Sequence, residues 1–290
     1  MAEIPTNRFT KIYLTIWGVC ILVGVITLIL YKFGFRVDNQ LTPVRVSAIE
    51  LSSNESDFQI FLNNREKNVA QVEGVYILKN ITPGLHSIVI SKEGFWPWTK
   101  TVAVNENNVR SLYAFMFPME GITTEALPSN STEYTSALNL INSSRLPLTK
   151  AGSVELLPSE SVKVWIDTNV PDRRISHNKN TALYIQDNTI YVAWISETEP
   201  PPHYFCEENP CKLIIPVIVA SGEIKSVDFY KDRDDVIIFT AGGVIYGIEA
   251  DHEGTQNFQP LFKGANPHFY KKESDILYIQ DGKSIVRADL

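Results

Sequence analysis

Five histidines, His86, His177, His203, His252 and His268, are the first side chains to weigh for chemistry. None stands in a His-Glu-x-x-His pair that would hold zinc on one helix face, and no Gly-x-Ser-x-Gly elbow presents a nucleophile. Asp232, Asp234 and Asp235 form a short carboxylate run without the glycine and the spaced terminal glutamate of a calcium loop, so they read as an exposed turn between strands. Paired carboxylates for glycoside hydrolysis leave no mark in a sequence, because their separation is set in three dimensions. The expectation is a chain with no catalytic residues, no cofactor and no metal ligands.

Binding residues are easier to nominate. Trp96 and Trp98 flank Pro97 just after the Glu93-Gly94 turn. Rings at the end of a β unit can stack on sugar faces or dock a partner, which makes these two the candidate ligand contacts; the alternative is that one or both fill a core. Glu199 to Phe205, with Pro200, Pro201, Pro202, His203 and Tyr204, reads as an extended polyproline segment, either an insertion or a recognition loop. Cys206 and Cys211 lie five apart around Asn209 and Pro210, residues that favour a turn. A small disulfide loop there fits an oxidising compartment; two free thiols, or half a zinc site with His203, are the alternatives.

The elements that position these residues begin with an apolar run, Ile12 to Tyr31, which contains no charged residue and no histidine. As a helix its 20 residues cover about 30 Å, one hydrocarbon core. No small-x-small cleavage site follows it, and Cys20 follows Val19 rather than the small residue that lipidation needs. The run is therefore expected to be a single membrane span after a tail of about 11 residues, rather than a cleaved signal or a buried helix. Gly18 and Gly24 are six apart, which gives no glycine seam for helix pairing.

Basic residues flank the run almost equally, Arg8 and Lys11 before it and Lys32, Arg36 and Arg45 after it, so the positive-inside rule does not decide orientation. Setting Arg8, Lys11, Lys32, Arg36 and Glu3 aside from the chain's 26 basic and 33 acidic residues leaves 22 and 32, a net of −10. Together with the cysteine pair, this acidity favours an extracytoplasmic C-terminal region. It also argues against nucleic-acid partners, since an acidic surface repels phosphates and no basic cluster is present.

The remaining residues are rich in Val, Ile, Thr, Tyr and Phe and are punctuated by Gly and Pro, so the fold class is expected to be mainly β. Residues 42–118 show six or seven short strands. Val44, Val46 and Ala48 alternate with Arg45 and Ser47, and Phe58, Ile60 and Leu62 alternate before the Asn63-Asn64 turn. Such spacing suits a small β-sandwich. Ile81-Thr82-Pro83-Gly84-Leu85-His86, Val89, Ser91-Lys92-Glu93-Gly94-Phe95, Trp98 and Val102-Ala103-Val104 resemble a PEGA domain, a small β-sandwich module of cell-surface proteins. Phe95 stands where that family usually has Tyr, and the Pro-Glu-Gly-Ala tetrapeptide is absent. The resemblance implies a sandwich fold and a surface role, not a catalytic mechanism.

Residues 119–150, rich in Ser, Thr, Asn and Pro, read as a linker with a strand or short helix around Ala137 to Ile141. Residues 152–290 contain echoes. Phe229-Tyr230-Lys231 recurs 40 residues on as Phe269-Tyr270-Lys271, and at that offset Val236-Ile237 matches Ile276-Leu277, Gly242 matches Gly282 and Ile245 matches Ile285. Leu183-Tyr184-Ile185-Gln186-Asp187 is identical to Leu277-Tyr278-Ile279-Gln280-Asp281, a third copy. A period near 40 with strand–turn–strand in each copy resembles propeller blades of the TolB or WD-repeat sort, with room for about three. An incomplete propeller and a sandwich of related meanders are both open.

The function expected from these elements is non-catalytic: a single-pass envelope protein that scaffolds, or binds a protein or glycan, at the cell surface. The competing classes are an envelope hydrolase acting on wall polymer and a membrane sensor signalling through a partner. One direct check concerns the cysteines. Alkylation without reductant, followed by mass spectrometry of protein from its native compartment, is expected to find Cys206 and Cys211 unmodified and linked; two alkylated thiols contradict it.

Overall fold

A computed structural model describes residues 8–37, 42–143, 159–170, 173–206 and 210–290. Most of the expected N-terminal tail (1–7) and the end of the expected linker (144–150) lie outside these residues. The chain is mainly β, with 45% of it in strands and 17% in helices. Its first element is helix α1 (Arg8–Lys32). Within it, Lys11–Lys32 holds an 18-residue stretch of mean hydropathy 2.5, none of which is buried by the other described residues. The Thr15 and Thr27 hydroxyls donate to the carbonyls of Lys11 and Val23 four residues back, so they too are satisfied inside the helix. The helix ends at Gly34, whose φ of +81° suits the left-handed position past a helix terminus. Strand β1 (Phe35–Val37) follows and pairs antiparallel with β2 (Pro43–Arg45).

The chain divides into two compact units, one of Met1–Ser56, Ile60–Ile88 and Val102–Ala114, the other of Asp57–Gln59, Val89–Thr101 and Phe115–Leu290. The first contains β3 (Ser47–Ser53), β4 (Gln59–Leu62) from Ile60 on, β5 (Arg65–Glu66), β6 (Gln71–Val72) and β7 (Val75–Ile81). Strands β8 (Gly84–Ser91) and β9 (Trp98–Val104) are divided between the units, and β10 (Val109–Ala114) belongs to the first. One sheet has the order β10-β3-β7-β6, with β10 parallel to β3; the other has the order β5-β4-β8-β9. Alternation along β3 buries Ser47, Ile49 and Leu51. Asn63-Asn64 and Glu73-Gly74 make the β4–β5 and β6–β7 hairpins as two-residue turns with φ positive at both positions. Ser47 pairs with Ile81 and Ala48 with Lys79, which leaves Asn80 as an extra residue at φ 61°, a β-bulge.

The second unit adds β11 (Thr123–Ala126), α2 (Thr132–Ser143), α3 (Ser159–Asn169), β12 (Arg174–Ile175), β13 (Thr181–Gln186), β14 (Thr189–Trp194) and β15 (Ile214–Val219). It continues with β16 (Val227–Phe229), β17 (Val236–Ala241), β18 (Val244–Glu249) and β19 (Phe258–Lys263). It ends with β20 (Pro267–Lys271), β21 (Ile276–Asp281) and β22 (Ser284–Asp289). These strands form three four-stranded antiparallel sheets, β12-β13-β14-β15, β16-β17-β18-β19 and β20-β21-β22-β11. The third takes its last strand from far back in the chain, with Thr123 opposite Asp289. Residues 119–143 thus supply a strand and a helix to this unit.

Each of these sheets is apolar on both faces, so they stack. Ile237 and Phe239 of β17 join the core of the first sheet, while Val236 and Ile238 join that of the third. Helices cover the two outer faces. Val162 and Ile166 of α3 lie in the core of the first sheet; Ala137 and Ile141 of α2 pack with Tyr278 and Ile285 of the third. The 40-residue offset places β17 on β21 and β18 on β22 end to end.

The first sheet departs from the sequence expectation by one residue. Its β13–β14 turn follows Gln186, whereas the β21–β22 turn follows Asp281. The identical pentapeptides therefore sit one position apart and present opposite faces. Tyr184 turns to Trp165 on α3, and Tyr278 turns to α2, where its hydroxyl donates to Glu133. A repeated bulge confirms the register: Tyr191 opposes Pro216 and Tyr246 opposes Pro260, with Val217 and Leu261 as the extra, buried residues.

Gly247 of β18 lies under the buried ring of Phe117; a Cβ there would stand 2.3 Å from the ring edge. Gly247→Ala is expected to destabilise the second unit by about 1–3 kcal/mol through overpacking, read as a lower urea midpoint with the native circular dichroism retained. An unchanged midpoint would mean that the ring does not rest there.

Candidate functional site

Strand β9 brings a lysine indoors. Trp98, Lys100, Val102 and Val104 are its inward-facing residues, and Trp98 and Lys100 are each 2% exposed. A buried ammonium needs compensation. Within the second unit it comes from the end of β18 and the loop after it. Lys100 Nζ donates to the Asp251 carbonyl at 2.7 Å and lies 3.4 Å from both the Glu249 and Asp251 carboxylates. Buried Glu249 accepts from Trp98 Nε1 at 2.6 Å and from Asn257 Nδ2 at 2.7 Å. Asn257 is held in turn by the Thr99 N–H at 3.2 Å. Burial pushes the Glu249 carboxyl up to about 7, against the lowering pull of Lys100 and the two donors. The group is a buried acid poised near neutrality among fixed donors, and its contacts knit β9 to β18.

Trp98 therefore serves as a core ring and a hydrogen-bond donor, with no face open to a ligand. Trp96 is half-buried against the core of the third sheet, and its own Nε1 is buried without a hydrogen-bond partner among the described residues. Its backbone N–H donates to Phe117 O at 2.8 Å, and Met119 N donates to Gly94 O at 2.9 Å, which ties the turn down. Cys206 and Cys211 are joined by a disulfide, S–S 2.03 Å. The loop they close follows a short 3-10 turn, His203–Phe205, that buries Tyr204 and Phe205.

The nominated titratable groups are dispersed. His177 faces Asp232 at 3.4 Å and His203 faces Glu253 at 3.5 Å, all but Glu253 largely exposed. Asp232, Asp234 and Asp235 occupy the β16–β17 connection, where Asp235 pairs with Arg233 and Asp234 accepts from Asn178. Among the described residues no group of three His, Cys, Asp or Glu is arranged to hold a metal ion. Asp228 is half-buried between Lys271, at 3.6 Å, and Arg174, at 3.8 Å; desolvation raises its pKa against the lowering pull of the two cations.

The first unit holds a separate feature that the sequence reading did not single out, a hollow of about 270 Å³. Asn63, Lys67, Asn68, Lys79, Asn80 and His86 supply its polar lining, and Leu62, Leu78 and Ile81 are among its apolar residues. His86 is buried, with Nδ1 2.9 Å from Asn63 Nδ2 and Nε2 2.7 Å from Thr82 O. The Ser87 N–H donates to Asn63 Oδ1, so the Asn63 amide nitrogen faces the ring and donates to it. His86 then gives its Nε2–H to Thr82 O. A histidine with both nitrogens engaged this way is a strut of the hollow. The signal that points here is Asn80, whose positive φ places it as a bulge beside the Pro83-Gly84 turn.

No family model matches this chain, and no curated protein matches its sequence.

The Glu249 group makes a pH prediction. Its folded pKa lies above its ordinary value of 4.5, so the folded state holds the proton more tightly, and stability falls as pH rises between 4.5 and about 7. That trend is worth about 3 kcal/mol at about 1.4 kcal/mol per pH unit. Glu249→Gln leaves one donor without its acceptor and is expected to be less stable overall, but to lose this slope. Urea titrations of both proteins from pH 4.5 to 8 check it; parallel pH profiles would show that Glu249 does not titrate in this range.

Proposed function

We propose that the chain is a non-catalytic, single-span envelope protein whose β units lie on the extracytoplasmic side and bind a protein or glycan at the cell surface. The observation that carries the reading is α1: it holds an 18-residue stretch of mean hydropathy 2.5, unburied by any other described residue. In water such a surface would be covered; a bilayer covers it. The Cys206–Cys211 disulfide supports an oxidising compartment, and the acidity of the residues after Arg36 supports their export. The resemblance of residues 42–118 to a PEGA domain supports a surface role.

A signal sequence that is later removed would share the length and composition of α1, and experiment separates the two. The protein is expected to stay with membranes through alkaline carbonate extraction at its full-length mass, and to be digested by protease added to intact spheroplasts. Release by carbonate, a mass lacking residues 1–36, or protection until lysis would each overturn part of the reading.

A further inference from the structure

We propose that the hollow of the first unit is a binding site for a hydroxyl-bearing phosphate: a sugar or polyol phosphate, free or presented as a membrane headgroup. Its lining carries two ammonium groups, Lys67 and Lys79, and no carboxylate. Neither lysine has an ion-pair partner among the described residues, although the chain as a whole is acidic. Point charges of this kind suit a phosphate. Around them stand three carboxamides, which suit hydroxyls because each both donates and accepts. Two of the three are held in place. Asn63 is fixed by the Ser87 N–H and by His86, and one of its amide hydrogens is left over. Asn80 accepts from Arg36 Nη2 at 3.1 Å through its oxygen, which leaves its amide nitrogen to donate. The apolar residues Leu62, Leu78 and Ile81 offer carbon surface to a ring or chain, and about 270 Å³ holds a ligand of monosaccharide size.

The β-bulge at Asn80 is the second observation. A bulge interrupts the β3–β7 ladder for one residue and re-aims the side chain it carries. Here it sets Asn80 in the lining and within reach of Arg36. Arg36 also donates to the carbonyls of Tyr31, at the end of α1, and of Phe35, and its guanidinium lies 3.4 Å over the Tyr31 ring. One side chain thus links the hollow to the end of the apolar helix. If α1 spans a membrane, the hollow opens close to the headgroup layer. That placement rests on the anchor proposed above; the phosphate chemistry of the hollow does not.

The test uses the full chain in neutral detergent and in vesicles. By calorimetry, glucose 6-phosphate or glycerol 3-phosphate is expected to bind saturably, with glucose and glycerol far weaker. Lys67→Gln/Lys79→Gln, a change at two exposed residues, is expected to cost about tenfold or more in affinity, some 1.4 kcal/mol, with the fold retained by circular dichroism. For the headgroup source, protein in phosphatidylcholine vesicles is titrated with phosphatidylglycerol or phosphatidylserine, equal in charge but unequal in hydroxyls. A Lys67- and Lys79-dependent preference for phosphatidylglycerol identifies a headgroup ligand; saturable binding of soluble phosphates alone identifies a free one. No saturable binding of soluble phosphates, with equal responses to the two lipids, overturns the proposal, as does binding that the double variant leaves unchanged. The soluble arm reads the hollow whether or not α1 is an anchor.

Discussion

Both faces of every sheet in the second unit are apolar, and that constraint organises the rest of the unit. A four-stranded meander with Val, Ile and Phe pointing both ways cannot stand in water alone. The middle sheet is covered on both sides by its neighbours, through Ile237 and Phe239 on one face and Val236 and Ile238 on the other. The outer two sheets each have one face left. α3 covers one and α2 the other, with Trp165 against Tyr184 and Ala137 against Tyr278. A stack of any length needs two such ends, and these helices supply them.

Charged and titratable side chains taken wholly or partly indoors show a second regularity. Lys100, Glu249, Asp228 and His86 are each accounted for by named partners. Lys271 shows the pattern well: it donates to the Phe229 and Lys231 carbonyls and lies near Asp228, so a side chain from the third sheet satisfies carbonyls that end a strand of the second. Such contacts add direction to a stack whose apolar faces alone would tolerate sliding.

Several of these features are legible in the sequence, for identifiable reasons. The apolar helix shows because twenty uncharged residues have few other homes. The second and third sheets show because Phe229-Tyr230-Lys231 and Phe269-Tyr270-Lys271 recur with equal turn lengths. The first sheet is displaced by one residue because Leu-Tyr-Ile is apolar on both faces, so identical letters fit either register and only the turn position decides. Helix α2 lies in a stretch poor in apolar residues; Ala137 and Ile141 carry its contacts and Ser131 caps it, accepting the Tyr134 N–H at 3.0 Å. The Lys100–Glu249 pair joins residues 149 apart, and its one local sign is a lysine in phase with Trp98 and Val102 on a strand's inner face. The hollow left still less, an asparagine at a positive-φ bulge that reads as ordinary turn punctuation.

The partnership of β11 with β22 has a consequence for the order of events in the life of the chain. Thr123 waits for Asp289, so β11 stays without its neighbouring strand through the synthesis of everything between them. Loop closure of that length is slow and is rewarded only at the end. Until then α2, which follows β11 by five residues, has no Tyr278 and Ile285 to sit on. A chain emerging residue by residue, whether from the ribosome or across a membrane, would expose this seam longest, and a chaperone or protease surveying incomplete molecules would find it there.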